Sequence, residues 1–288
     1  MKMQKVWFIT GASRGFGLEI AKAALAAGDQ VVATVRSNPA QLAAVLDNHP
    51  NLYVVPMDVT QEDQVQAAVQ QSIARFDRID VLVNNAGYGM ITAIEEATDA
   101  EVRKQYDTNV FGLLNVTRAV LPYLRQQKSG HVINISSLFG YDVVPGWGLY
   151  GSTKFAVEGL SKGLAVELAP LGIHVTTVAP GLFTTDFLST DSYVAAKTII
   201  DDYQATVGRM RSGADALHGN QPGDPKKFAQ VMIQLANTEH PPLHLPVGKD
   251  AVDFYQNNAA KMAQEIEAWL PVSTSTDHDH RVMASTIA

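Results

Sequence analysis

Residues 150–154 read YGSTK and set a phenol, Tyr150, four residues before an ammonium, Lys154. On a helix that interval puts both side chains on one face. An ammonium beside a phenol favours the phenolate, and so lowers a tyrosine pKa from its ordinary value of about 10. Such a pair could exchange a proton with a bound molecule. It could also be a surface ion-and-aromatic pair, and the pentapeptide alone leans to that plainer reading. The elements that would position the two side chains decide the matter.

Bulk properties bound those elements. The chain has 288 residues, 46% hydrophobic and 18% charged, enough for one large α/β domain or two small ones. A net charge of −7 argues against non-specific binding to nucleic acid or to an anionic membrane. With no cysteine, disulfides, thiolate catalysis and cysteine-held metals are excluded. The start, MKMQKVWFITGAS, lacks the apolar core and cleavage site of a signal peptide. No run reaches 18 apolar residues, so no membrane span is expected and a cytoplasmic location is the default.

Short apolar runs alternate with longer helical stretches. Residues 5–10, 30–35, 52–57, 80–84, 131–136 and 174–179 read as buried strands. Their β-branched content, without strict alternation, suits a parallel sheet covered on both faces. Helices are expected near 15–27, 61–76, 99–127 and 150–169, with Gly28 capping the first. The fold class is therefore α/β: a doubly wound parallel sheet with helices on both faces and right-handed crossovers, in a single domain over 1–272. Segment 182–222, with Phe183, Phe187, Leu188, Tyr193, Tyr203 and Met210 among polar residues, reads as a helical flap. A helix at 225–237, a strand at 243–247 and a helix at 250–268 close the domain. Residues 273–288 are polar and aperiodic and read as a disordered tail.

The first strand runs into TGASRGFG (10–17), and a helix follows. Gly11, Gly15 and Gly17 let backbone approach a ligand, and the helix N terminus offers N–H groups to an anion. The spacing G-x-x-x-G-x-G differs from the commoner G-x-G-x-x-G. A tight turn without a ligand is the alternative; the place of the loop, at the carboxyl end of the first strand, favours a phosphate. An NAD site usually carries an acid at the end of the second strand. Here VVATVRSN offers Arg36 instead, and Arg14 lies in the glycine loop. Each could be a solvated charge; converging, two guanidiniums suit a 2′-phosphate and favour NADP(H).

Further motifs follow in order: MDV (57–59), NNAG (84–87), TNVFG (108–112), ISS (135–137), YGSTK, and PG (180–181) with Thr185. With these the chain resembles the short-chain dehydrogenase/reductase family in its single-domain, Rossmann-type form, over about residues 5–268. The resemblance implies that Gly11, Ser13, Arg14, Gly15, Phe16 and Gly17 line the diphosphate and adenosine side of the cofactor. Asp58 and Val59 would meet the adenine, Asn85, Ala86 and Gly87 the ribose, and Pro180, Gly181, Phe183 and Thr185 the nicotinamide. Phe16 and Phe183 depart from the aliphatic residues common at their places. Asn109, Ser137, Tyr150 and Lys154 match the family's catalytic four. Tyr150 would donate the proton, Ser137 hold the carbonyl oxygen, Lys154 tune Tyr150 and bind ribose hydroxyls, and Asn109 hold a water leading to solvent.

The expected activity is NADPH-dependent reduction of a hydrophobic ketone, or the reverse oxidation of its alcohol, in a homodimer or homotetramer. An NADP(H)-binding sensor without turnover is the alternative, one that would not need the four residues intact. GLSKG (159–163) spells a hydrolase pattern but falls mid-helix rather than on a strand-to-helix elbow. Gly151, Gly159 and Gly163 are expected to allow close packing, against another subunit. Asp277–His280 (DHDH) reads as solvated rather than as a metal site. Tyr88, Met90, Phe139, Tyr141 and Trp147 are candidates for a substrate wall.

Overall fold

The structure, a computed structural model, describes residues 4–188, 193–195 and 198–278. The chain begins with β1 (Val6–Ile9), α1 (Gly15–Ala26), β2 (Gln30–Val35), α2 (Pro39–Val45), β3 (Leu52–Pro56) and α3 (Glu62–Phe76). It continues through β4 (Val81–Asn84), β5 (Gly89–Ile91), α4 (Asp99–Tyr106), α5 (Gly112–Gln127), β6 (Gly130–Ile135), α6 (Gly148–Leu168) and β7 (Ile173–Pro180). Then come β8 (Tyr193–Ala195), α7 (Arg209–Leu217), α8 (Pro225–Ala236), β9 (His244–Val247) and α9 (Lys249–Ser273). Seven strands make one sheet in the order β3-β2-β1-β4-β6-β7-β9, each parallel to its neighbours. The strand order reverses between β1 and β4, which opens a crevice at their carboxyl ends.

Period-two alternation explains why the strands are apolar throughout. Trp7, Ile9, Val31, Ala33 and Ile133 share a core with Ile20 of α1 and with Phe228 and Met232 of α8. Phe8, Val32, Leu82 and Val132 share the opposite core with Val65 and Val69 of α3 and with Val116, Val120 and Leu124 of α5. A third cluster lies under the flap, where Ala214 of α7 and Ala251 of α9 meet Phe139, Trp147 and Tyr150. This last cluster joins the fold directly to the candidate site.

Several expectations are corrected. The helix expected over 99–127 is interrupted by a π turn at Asp107–Phe111 between α4 and α5. Gly112 fits closely there, since a Cβ would meet Val59 Cγ2 at 2.5 Å. Helix α2 was not anticipated: PAQLAAV is too short for a clear periodicity, although Pro39 stands at its first turn. The flap contains a strand, β8, that pairs in parallel with β5, besides single turns and α7. Helix α9 runs to Ser273, five residues past the expected end. Residues 274–278 follow it in a turn, and the rest of the expected tail, with two members of DHDH, lies outside the described residues.

Phe16 and Phe183, the two departures from the family pattern, are built into the core. Phe16 stacks on Phe228 with ring centroids 4.0 Å apart, and Phe183 meets both edge-on, at 5.3 Å and 5.4 Å. This trio ties the glycine loop, the segment after β7 and α8 together. Replacing the fully buried Phe228 with alanine should therefore destabilise the protein by about 3–5 kcal/mol in denaturant unfolding. A change below about 1 kcal/mol would contradict the packing described.

Candidate active site

The crevice between β1 and β4 widens into a cleft of about 890 Å³. Its floor is the loop after β1. Gly11 and Gly15 hold φ of +65° and +55°, a left-handed conformation that side chains other than glycine's resist. A Cβ on Gly17 would collide with Gly11 O, so the loop closes tightly under itself. Asn85 Nδ2 binds it to the end of β4 by donating to Thr10 O (2.9 Å) and Gly11 O (3.1 Å). The N terminus of α1, at Arg14, carries no side-chain cap, which leaves its amides to the cleft.

The cleft brings together most of the residues singled out from the sequence. Ser13, Arg14, Gly15 and Phe16 line it with Arg36, Asp58, Val59, Asn85, Ala86 and Gly87. Ser137, Tyr150, Lys154, Pro180, Gly181, Phe183 and Thr185 line it as well. Arg14 and Arg36 are both exposed. Asp58 accepts from Thr60 N (2.9 Å) and Oγ1 (2.8 Å), so one of its oxygens already shapes the loop. Gly17 and Asn109 do not line the cleft; they form the layer behind it.

Asn109 sits in the π turn, a helix irregularity frequent at functional sites. Its Oδ1 accepts from Tyr88 N (3.1 Å), and its Nδ2 donates to Tyr88 O (3.0 Å) and Thr153 Oγ1 (3.1 Å). A Cβ on Gly87 would lie 3.1 Å from Asn109 Oδ1 and 3.8 Å from Lys154 Nζ, so this glycine lies against both.

Tyr150 and Lys154 face the cleft from α6, 4% and 6% exposed. Lys154 Nζ donates to Ile135 O (2.8 Å), tying the helix to the end of β6. Two residues on, Ser137 Oγ accepts from Phe139 N (3.1 Å), and the same hydroxyl favours the Tyr150 phenolate. The acidifying effect expected of Lys154 on Tyr150 is not what this arrangement gives. Lys154 Nζ lies 5.7 Å from the ring centroid and spends its bond on a carbonyl. Burial pushes the phenol above its ordinary value, and Ser137 alone opposes it. Burial also brings Lys154 down to about 8, against the charge of Glu158. Both groups are thus governed by desolvation.

An aromatic wall surrounds the phenol. Trp147 and Phe187 lie 5.5 Å and 5.6 Å from the Tyr150 ring, Phe139 6.4 Å. Phe139, Trp147 and Tyr88 line the cleft as expected, while Met90 and Tyr141 do not. Met90 is a core residue, and Tyr141 turns behind α6 to donate to Glu158 Oε2 at 2.7 Å. Phe187, Leu182, Asp186 and Gln221 also line it. They come from the flap, whose path the spacing of its apolar residues does not reveal. In GLSKG, Ser161 is buried within α6 and donates to Val157 O (2.7 Å), so it cannot serve as a nucleophile. Gly151 is filled by Val143 of its own chain, while Gly159 and Gly163 have nothing within 4 Å of a Cβ position.

Sequence reasoning missed the attachment of the flap. Glu96, 2% exposed, accepts from Ala93 N (2.8 Å), Ile200 N (3.0 Å) and the Arg211 guanidinium. Tyr203 Oη adds a bond to Glu95 Oε2 (2.7 Å). Burial pushes the Glu96 carboxyl up, but the two amides and Arg211 overcome it and hold the group below its ordinary 4.5. A depressed carboxylate stabilises the fold above its unfolded pKa and loses that contribution as pH falls through the folded one. The wild type should therefore lose stability on acidification below about pH 4.5, and Glu96→Gln should lower stability near neutrality and flatten that acid limb. Parallel pH profiles of unfolding would refute the role of the Glu96 carboxylate.

Among the described residues no group of three or more His, Asp or Glu could hold a metal, and no helix is long and apolar enough to cross a membrane. Residues 5–193 match the family profile described as short chain dehydrogenase. The chain is 40% identical over 276 residues to oxidoreductase BOA17 of Botryotinia fuckeliana (strain B05.10), covering 95% of this chain and all of that one. A short-chain dehydrogenase from Streptomyces avermitilis superposes with a TM-score of 0.88 at 40% identity, over 96% of this chain and 100% of that chain. The structure of ElxO with NADP bound superposes with a TM-score of 0.72 at 28% identity, over 87% and 100%.

Proposed function

The chain belongs to the short-chain dehydrogenase/reductase family of oxidoreductases, and on that footing we propose that it reduces hydrophobic ketones, aromatic or bulky, with NADPH, or oxidises the corresponding alcohols. The observation that carries this reading is the buried Tyr150–Lys154 pair, facing the glycine-floored cleft that Ser137 also lines.

The residues present fit a dinucleotide. The uncapped N terminus of α1 and the open glycine loop suit a diphosphate. Arg14 and Arg36, which both line the cleft, suit a 2′-phosphate, as does the absence of an acid after β2. ElxO, whose structure holds NADP, supports that choice. Lys154 would hold the ribose hydroxyls and Phe183 would border the nicotinamide.

When bound, the dihydronicotinamide supplies a hydride to the carbonyl carbon. Tyr150 Oη then gives its proton to the carbonyl oxygen as charge develops there, and Ser137 Oγ donates a hydrogen bond to the same oxygen. A phenol held above its ordinary pKa is fully protonated when substrate arrives, which suits the reductive direction. Lys154 supplies positive charge near the phenolate that results. Asn109 keeps the Tyr88 loop and Thr153 in place beside Lys154. Trp147, Phe139 and Phe187 exclude water and select an apolar substrate. We infer an oligomer from α6, where Phe155 (47%) and Val166 (78%) are exposed beside the open Gly159 and Gly163.

Tyr150→Phe should keep NADPH affinity while reduction falls by about 10²–10⁴-fold in an NADPH-consumption assay over aryl ketones, keto esters and diketones. Undiminished turnover would remove Tyr150 as the acid. Arg36→Asp should lower the NADPH-over-NADH ratio of kcat/KM by about tenfold to a hundredfold, the effect of losing one charge-assisted phosphate bond. An unchanged ratio would place the 2′-phosphate elsewhere.

A further inference from the structure

Gln221, in the loop between α7 and α8, lines the cleft and is 6% exposed. Both polar atoms of its side chain, Nε2 and Oε1, are buried and have no hydrogen-bond partner among the described residues. A buried amide left unpaired costs stability, so its presence in a closed position asks for an explanation. The backbone around it is well held. Thr184 Oγ1 donates to Gln221 O (2.8 Å), Thr184 N to Gly223 O (2.9 Å) and Gly223 N to Leu182 O (2.9 Å). A Cβ on Gly223 would meet the Phe183 ring at 2.5 Å, so the loop is pressed against the segment after β7. The main chain is thus fixed to the cleft wall, while the amide it carries has no use within the fold. Such a group points to a ligand.

The donor set says which kind. Oε1 needs a donor and Nε2 an acceptor, both in one plane on one carbon. A diphosphate or a ketone oxygen only accepts, and would leave Oε1 unpaired. A primary carboxamide presents the mirror of the same pair, and adenine does so through its amino group and a ring nitrogen. The sheet separates these two. Gln221 is bound to the segment after β7, whereas Asp58 and Val59, the expected neighbours of an adenine, follow β3. In the strand order β3 is first and β7 sixth, five steps or about 24 Å apart. Strand β7 pairs with β6, whose Ile135 O holds Lys154. Gln221 therefore stands on the Tyr150 side of the sheet edge, where Phe183 would border the nicotinamide.

We propose that Gln221 is a cofactor-binding residue whose side-chain amide pairs with the carboxamide of the nicotinamide, Nε2 donating to the carboxamide oxygen and Oε1 accepting from its nitrogen. The inference rests on the reading of the cleft as an NADP(H) site. Through this pair the loop before α8 restrains the ring from turning, and so helps to decide which of its faces meets the substrate.

The test compares, by isothermal titration calorimetry, the binding of NADP+ and of its 3-acetylpyridine analogue, in which a methyl group replaces the carboxamide NH2. Wild-type protein should bind NADP+ about tenfold more tightly than the analogue, the effect of leaving Oε1 unpaired. Gln221→Met, which keeps the length and removes both polar atoms, should bind NADP+ about tenfold less tightly than wild type and lose most of that preference. Because the amide has no partner in the fold, the Gln221→Met apoprotein should melt no lower than wild type. An unchanged preference in Gln221→Met overturns the proposal. A melting point several degrees lower with unchanged NADP+ affinity overturns it too, since the amide would then be structural. If Gln221→Met does not fold, Gln221→Ala, which adds no bulk, must lose the preference, and an unchanged one overturns the proposal equally. A wild type that binds neither dinucleotide rejects the cofactor reading of the cleft and the proposal with it. A preference lost on substitution, in a protein whose wild type reduces no ketone, would uphold the pairing and reject the ketone-reductase reading instead.

Discussion

The site depends on one hydrogen bond, from Lys154 Nζ to Ile135 O. It fastens a buried cation on α6 to the carboxyl end of β6, at the sheet edge where the loops of the cleft converge. Through it Tyr150, one turn earlier, is set beside Ser137, two residues past that carbonyl. A lysine buried to this degree without a partner would be expelled or neutral. The carbonyl and the nearby charge of Glu158 are what let it stay.

Desolvation then acts on the whole site with one sign. It pushes the Tyr150 phenol up, which favours its neutral form, and brings Lys154 down to about 8. Chemistry that passes through a phenolate must draw its stabilising charge from Lys154 and from what enters the cleft. The aromatic wall strengthens this effect by keeping water out, and the flap strengthens it further. Glu96, with Arg211 and Ile200, fixes the flap against the segment after β5, so the seal over Tyr150 belongs to the fold.

The sheet was legible in the sequence because parallel strands buried on both faces appear as unbroken apolar runs, and those runs stand where they were expected. The glycine loop and the Tyr-Lys step were legible because their chemistry depends on local spacing. Residues that act through tertiary neighbours were not. Glu158 reads as one more helix charge until Tyr141, Thr177 and His244 are brought to it from three other elements. Tyr141 looked like a substrate contact because it stands in a loop beside the site, yet its hydroxyl turns behind α6. The π turn at Asp107–Phe111 left no periodic signature, since one extra residue per turn only blurs a long helical pattern. The effect of Lys154 on Tyr150 was misjudged for the same reason. Spacing puts the two on one face, but only packing shows that the ammonium bonds elsewhere.

The central claim is that one cleft presents the Tyr150 phenol to the reactive ring of a dinucleotide whose far end meets Arg14 and Arg36. A crystal structure of the protein soaked with NADPH tests it most directly. The account predicts the dihydronicotinamide beside the Tyr150 hydroxyl, the ribose on Lys154 and the 2′-phosphate between the two guanidiniums. A dinucleotide bound elsewhere, or bound in the cleft with its nicotinamide turned away from Tyr150, would contradict it.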